Sequence, residues 1–182
     1  MENKFKFIIV AVVAVVAIVI VMWPSLFPSN LIGKEVIQSQ MSELKSIATN
    51  DTLANTVGIW KTNNPPLNAS GSALNVDGKT AVVYVGADYC PYCAVTRWSL
   101  IIALMRFGNF TNLHYMQSSA TDNPADVPTF TFYGSNYTGA LAFQYAEIEN
   151  RNGTPLQTPT QFESAGYTEE IPCVYYLYLT IK

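Results

Sequence analysis

A chain of 182 residues has room for one soluble domain of ordinary size plus a short anchor, and too little for two independent cores. Charged side chains make up 13% of it, against about 25% in an ordinary soluble domain, so a largely neutral, polar surface is expected, of a kind suited to an acidic medium. A formal net charge of −3 with ten Lys and Arg leaves no basic stripe to neutralise phosphates, which removes nucleic acid from the expected partners.

Residues 7–23 are an unbroken run of seventeen uncharged, apolar residues preceded by Lys4 and Lys6. As a helix the run covers about 26 Å, slightly less than a hydrocarbon core of about 30 Å. A cleavable signal peptide is the competing reading, but no small-x-small cleavage site follows. The exit Trp23-Pro24-Ser25-Leu26-Phe27-Pro28 suits an interfacial anchor instead. The expected organisation is a membrane anchor over 1–27, a linker over 28–34 and an extracytoplasmic domain over 35–182. Lys4 and Lys6 favour a cytoplasmic amino terminus and a single-pass protein of the cell membrane. Five Asn-x-Ser/Thr sequons, at Asn50, Asn68, Asn109, Asn136 and Asn152, are glycosylation acceptors if the domain is exported.

Further along, the spacing of Val36, Ile37, Met41, Leu44 and Ile47 predicts a helix over 35–48, and Asn63-Asn64-Pro65-Pro66 and Ser70-Gly71-Ser72 predict a loop over 50–75. Val76-Asp77-Gly78-Lys79 reads as a tight turn into a buried, β-branched strand over 80–86. After Ala87-Asp88-Tyr89 comes Cys90-Pro91-Tyr92-Cys93, then a helix over 94–107 stopped by Gly108-Asn109. Its predicted buried face is Val95, Trp98, Ile102 and Met105, broadened by Leu100, Ile101 and Leu104. Strands are expected over 113–116, 129–133 and 140–145, the last two joined through Gly134-Ser135-Asn136. A polar segment over 149–164 precedes a final strand over 173–181.

A strand that delivers C-x-x-C to the first turn of a helix is the arrangement of a dithiol oxidoreductase. Unpaired N–H groups and the positive end of the helix dipole favour a thiolate at Cys90, the attacking sulfur. Cys93, one turn on, is placed to resolve a mixed disulfide, and Pro91 suits an early helical position. A structural disulfide across one turn closes a tiny loop and constrains the unfolded chain little. Zinc wants four ligands, and beyond this pair the chain offers only Cys173 and His114. His114 reads first as a structural strand residue and Cys173 as a small buried one. Asp88 is a candidate for proton transfer against the plainer reading of a solvated loop acid. Tyr89 and Tyr92 are candidates for a contact surface around the sulfurs.

The stretch from Val85 through Ala94, then Arg97-Trp98, Arg106-Phe107-Gly108-Asn109-Phe110 and the segment from Asn150 to Thr160, resembles an uncharacterised archaeal family of membrane-anchored, thioredoxin-like proteins, domain of unknown function 929. The resemblance spans about residues 78–172. It implies an α/β, thioredoxin-like mixed sheet with flanking helices behind one transmembrane helix, and it implies no established activity. Proteins of that fold carry a cis-proline facing the dithiol, for which Pro128 and Pro172 are the candidates, the family pattern favouring Pro172. After Ile171-Pro172 this chain departs from the pattern. It runs Cys173-Val174-Tyr175-Tyr176 and ends at Lys182, so a truncated or altered carboxyl end is expected, with an exposed, Tyr-rich edge. The acid that often precedes a thioredoxin dithiol on its strand is missing, with Tyr84 in that neighbourhood.

The expectation is a membrane-anchored thiol-disulfide oxidoreductase, its partners protein thiols or disulfides, with no dissociable cofactor and no metal. The alternative is a non-catalytic binding module at the cell surface, its cysteines locked as a structural disulfide. Nothing in the sequence fixes an oligomeric state or the direction of the redox chemistry.

Overall fold

The computed structural model describes residues 29–57, 74–164 and 175–176. The expected anchor, the Asn-Pro and Ser-Gly breakers, Pro172 and Cys173 lie outside them. Among the described residues no helix is long and apolar enough to cross a membrane. Ser29–Leu31 form a single 3-10 turn, and the main unit of the chain begins at Gly33.

The first helix, α1, spans Gln38–Ala48 and starts later than its apolar spacing predicts. The backbone just before it pairs with another segment: Gly33 N donates to Tyr115 O at 2.8 Å, Tyr115 N to Lys34 O at 2.9 Å, and Val36 N to Leu113 O at 2.8 Å. Glu35 and Val36 therefore sit in an extended edge rather than in a first helical turn. The expected loop after residue 50 instead begins with a helix, α2, over Asp51–Val57. Asn50 Oδ1 accepts a hydrogen bond from Leu53 N at 2.9 Å, an N-terminal cap that apolar periodicity does not reveal, because residues 51–56 are all exposed.

Strands β1 (Asn75–Val76) and β2 (Lys79–Gly86) form a hairpin across Asp77 and Gly78, both with positive φ (51° and 77°). That is the turn geometry whose twist matches the two strands. From Ala81 onward β2 is buried on both faces. It leads through Ala87–Cys90 into α3 (Pro91–Met105). Next come β3 (Gly108–Thr111), β4 (His114–Gln117), β5 (Pro128–Thr131), β6 (Asn136–Gly139) and β7 (Ala142–Glu147). The short helix α4 (Gln161–Ser164) and strand β8 (Tyr175–Tyr176) follow.

The fold is mixed α/β. β2 and β7 run parallel in register, from Ala81 opposite Ala142 to Gly86 opposite Glu147, while β1 and β8 pair antiparallel with β2. Two further antiparallel ribbons, β3 with β6 and β4 with β5, stand beside this sheet in the topology. The strands expected over 129–133 and 140–145, with Gly134-Ser135-Asn136 as their connection, are thus separated by a further strand, β6. Gly134-Ser135 turns the chain into β6, which pairs with β3, and a second turn at Ala140-Leu141 sends β7 to β2. Helix α3 ends at Met105, ahead of the Gly108-Asn109 expected to stop it, and Gly108-Asn109 instead opens β3. Phe110, Phe132 and Phe143 gather between these elements, with Phe132 and Phe143 edge to face at 4.9 Å between centroids.

Helix α3 packs against β5, α1 and β3 with only part of the face its apolar residues predict: Ile101, Leu104 and Met105 are inside, but Val95 is not. The buried positions are Pro91, Cys93, Ala94, Arg97, Ile101, Leu104 and Met105, while Val95 is 61% exposed. The stripe is rotated so that a charged residue points inward and a valine points out. Burying an arginine is costly unless its charge is matched, so the rotation implies acidic partners inside. They lie at the ends of β2 and β7.

Candidate functional site

The parallel pair β2–β7 ends at Gly86 and Glu147, and the crevice beyond the carboxyl ends of parallel strands is the usual place for a site in an open α/β sheet. There Asp88 N donates to Glu149 O at 2.9 Å and Ile148 N to Gly86 O at 2.7 Å, which ties the turn before the cysteines to the strand end. Ser119 N donates to Tyr89 O at 2.8 Å and fixes the other side of that turn. At Gly86 a β-carbon would collide with the Tyr84 phenol, so the ring folds back over the strand end only because the residue there is glycine.

Cys90 is the residue immediately before α3, with extended backbone (φ −74°, ψ 123°), and Pro91 is the first helical residue. The helix closes on Cys90 through Ala94 N donating to Cys90 O at 3.0 Å. Cys93 lies in the first turn, so sequence and structure agree on the placement of both sulfurs. Cys90 keeps 5% of its surface exposed and Cys93 none, so an incoming group meets Cys90 first. Cys90 is disulfide-bonded.

Asp88 departs from the expected solvated loop acid. It is fully buried, and neither carboxylate oxygen has a partner of good hydrogen-bond geometry. Arg97 Nη2 stands 3.4 Å from Oδ1, and Thr131 contributes only a looser interaction. Burial foremost, with the nearby Glu147, pushes the Asp88 carboxyl up from 3.8 to about 7, against the lowering pull of Arg97 and Thr131. A buried acid is thus present, but in the turn after β2 rather than on the strand, where Tyr84 stands.

Arg97 and Glu147 complete the cluster, and sequence reasoning gave neither a role. Arg97 Nε and Nη2 donate to Glu147 Oε1 and Oε2, each at 2.8 Å, in a two-pronged pair with both side chains fully buried. Arg97 Nη2 also donates to Ala87 O at 2.7 Å, and the guanidinium carbon lies 5.9 Å from the centre of the Tyr84 ring. Burial opposes the charge on Arg97, but Glu147, Tyr84 and Asp88 outweigh it and hold its pKa well above the ordinary arginine value. A single charge at position 97 inside an otherwise uncharged helix is the signal that could have exposed the cluster.

The remaining candidates are placed as follows. Tyr92 projects from the helix start, 70% exposed. Pro128 opens β5 beside α3: its carbonyl accepts a hydrogen bond from Trp98 Nε1 at 2.8 Å, and Thr129 Oγ1 donates to Ala94 O at 2.8 Å. The cis peptide bond found among the described residues is Asn123–Pro124; the bond before Pro128 is not cis, and Pro172 lies outside the described residues. His114 sits in β4 opposite Thr131, as a structural strand residue does. Among the described residues no group of three or more His, Cys, Asp or Glu could hold a metal ion.

A polar groove of about 470 Å³ adjoins the cysteine turn, lined by Tyr89, Ser119, Asp122, Glu149 and Arg151 among others. Another cleft, of about 450 Å³, lies by Met105 at the far end of α3 and brings no cysteine or buried acid with it.

No curated protein and no solved structure is similar enough to match the chain. Residues 65–181, more than half of its length, match the family described as Domain of unknown function (DUF929), and the match takes in the cysteine pair, Asp88, Arg97 and Glu147 together. The chain belongs to the DUF929 family.

Proposed function

We propose that the protein is a membrane-anchored thiol-disulfide oxidoreductase of thioredoxin-like fold, working outside the cytoplasm on protein thiols or disulfides. The observation that carries this reading is the Cys90–Cys93 pair at the start of a helix, Cys90 marginally exposed and Cys93 sealed, two residues after a buried carboxyl group whose pKa is raised to about 7. The apolar run over 7–23 with its two leading lysines supports the location.

In the reducing direction, the Cys90 thiolate attacks one sulfur of a partner disulfide; that bond breaks, and the other partner sulfur leaves as a thiolate and takes up a proton. Cys93 then yields its proton and attacks Cys90 Sγ, which expels the second partner sulfur and leaves the protein oxidised by two electrons. Asp88, two residues before Cys90 and in ion-pair contact with an arginine one turn beyond Cys93, is the group suited to accept that proton. The polar groove beside Tyr89 and the projecting Tyr92 offer an extended partner segment its contacts.

A second reading is a structural disulfide in a binding module, favoured by the bonded state and slight exposure of Cys90. Equilibration of the full chain with glutathione buffers separates the two. A couple that cycles well above about −300 mV supports the oxidoreductase, and one that resists reduction below that value supports the staple.

A further inference from the structure

The outer face of the β3–β6 ribbon carries two glycosylation sequons in mutual register. In β3 the order is Gly108, Asn109, Phe110, Thr111 with alternating burial, and in β6 it is Asn136, Tyr137, Thr138, Gly139 with the same alternation. Phe110 and Tyr137 are opposite one another and pack inward, their rings 5.1 Å apart. Asn109 lies opposite Thr138, and Thr111 opposite Asn136. All four sequon residues are exposed, and because side chains alternate strictly across a strand they share one face. Each asparagine thus sits across from the hydroxyl residue of the other sequon. None of the four carries a charge, and the charged groups Glu35 and Lys45 line the cleft that Asn109 and Thr111 border. Asn50 and Asn152, the other sequon asparagines among the described residues, are exposed as well.

Two physical considerations single out this face. A two-stranded ribbon leaves unpaired strand edges, which proteins protect from intermolecular pairing with lysines, prolines or a cover. The residues of β3 and β6 include neither lysine nor proline, and the lysines that reach the ribbon, Lys45 to Gly108 O and Lys79 to Gly139 O, hold only its Gly108–Gly139 end. The chain as a whole is also poor in charge, so little else hydrates this surface. A bulky, strongly hydrated group on the ribbon meets both needs.

We propose that Asn109 and Asn136 form an N-glycan-bearing face that shields the β3–β6 ribbon. The inference rests on the extracytoplasmic placement proposed above, and on no part of the redox chemistry. In the reaction the side-chain amide nitrogen forms a bond to the anomeric carbon of an oligosaccharide carried on a lipid-linked pyrophosphate. The bond from that carbon to the pyrophosphate oxygen breaks, the lipid pyrophosphate leaves, and the amide gives up one proton.

The test uses the full chain in cells with an Asn-linked glycosylation system, carrying an appended carboxyl-terminal reporter sequon. Glycopeptide mass spectrometry is applied to the parent and to Asn109→Gln, Asn136→Gln and the double variant. The expected result is glycan at Asn109 and Asn136 in most molecules, lost site by site in the single variants, with the double variant folded but more prone to self-association. Bare asparagines at both positions beside a modified reporter overturn the glycan face while leaving the external location intact. A bare reporter on a chain shielded from external protease overturns the location, and the glycan face with it.

Discussion

Arg97→Met is expected to destabilise the domain by about 3–5 kcal/mol, because it strands the fully buried Glu147 carboxylate and the adjacent Asp88 without their shared cation. Arg97→Lys is expected to recover only part of the loss. An ammonium group cannot reproduce two parallel hydrogen bonds to one carboxylate together with a third to Ala87 O. Pairing Arg97→Met with Glu147→Met removes both charges, and the double variant is expected to be more stable than the single one, since the penalty comes from an unmatched charge and not from the lost attraction. Urea unfolding of the detergent-solubilised chain at one pH reads all three. Equal loss in the single and double variants would mean that Arg97 matters only for its packing.

Stability is expected to fall as pH rises from about 4 to about 7, through Asp88. Its carboxyl titrates at about 7 in the folded protein and at 3.8 as a free side chain. Below the lower value both states hold the proton, and the contribution is fully present. Between the two values the unfolded chain releases its proton while the folded one keeps it, so the folded state loses ground, up to about 4 kcal/mol by the top of the window. Above the folded value both states are ionised and the slope ends. Asp88→Asn should erase this segment of the pH profile, so the variant gains on the parent as pH rises through the window. In thiol exchange the same variant should lose rate chiefly at the higher end of the window, where the parent has a carboxylate to receive the Cys93 proton. Parallel stability profiles for parent and variant would show that Asp88 is not held protonated by its surroundings.

Much of this arrangement was legible in the sequence, and the part that was not has a common physical cause. The buried run of β2, the Asp77-Gly78 turn and the helix behind the cysteines follow from local pattern, because β-branched residues, left-handed turn positions and apolar spacing act over a few residues. The position of Cys90 and Cys93 at a helix start came from the same local signals. The buried acid cluster did not, because its members are 59 positions apart between Asp88 and Glu147 and are brought together only by the parallel β2–β7 register. Reading Asp88 as a solvated loop residue follows from its neighbours in the chain, whereas its burial follows from Arg97 and Thr131. The same holds for the inner face of α3: hydropathy places Val95 inside, and the Arg97–Glu147 pair turns the helix so that Val95 faces out. Strands β3 and β6 were hidden because each is four residues long and gains stability from the other, about 27 positions away.

The central claim, that Cys90 exchanges disulfides and Cys93 resolves them, is tested most directly by trapping. In a Cys173→Ser background, so that no other thiol of the chain competes, Cys93→Ser is expected to accumulate covalent adducts with partner proteins in cells. They should separate on reduction and vanish when Cys90→Ser is added. Equal, negligible adduct levels with and without Cys93 would contradict the account and leave the cysteines as a structural feature of the domain.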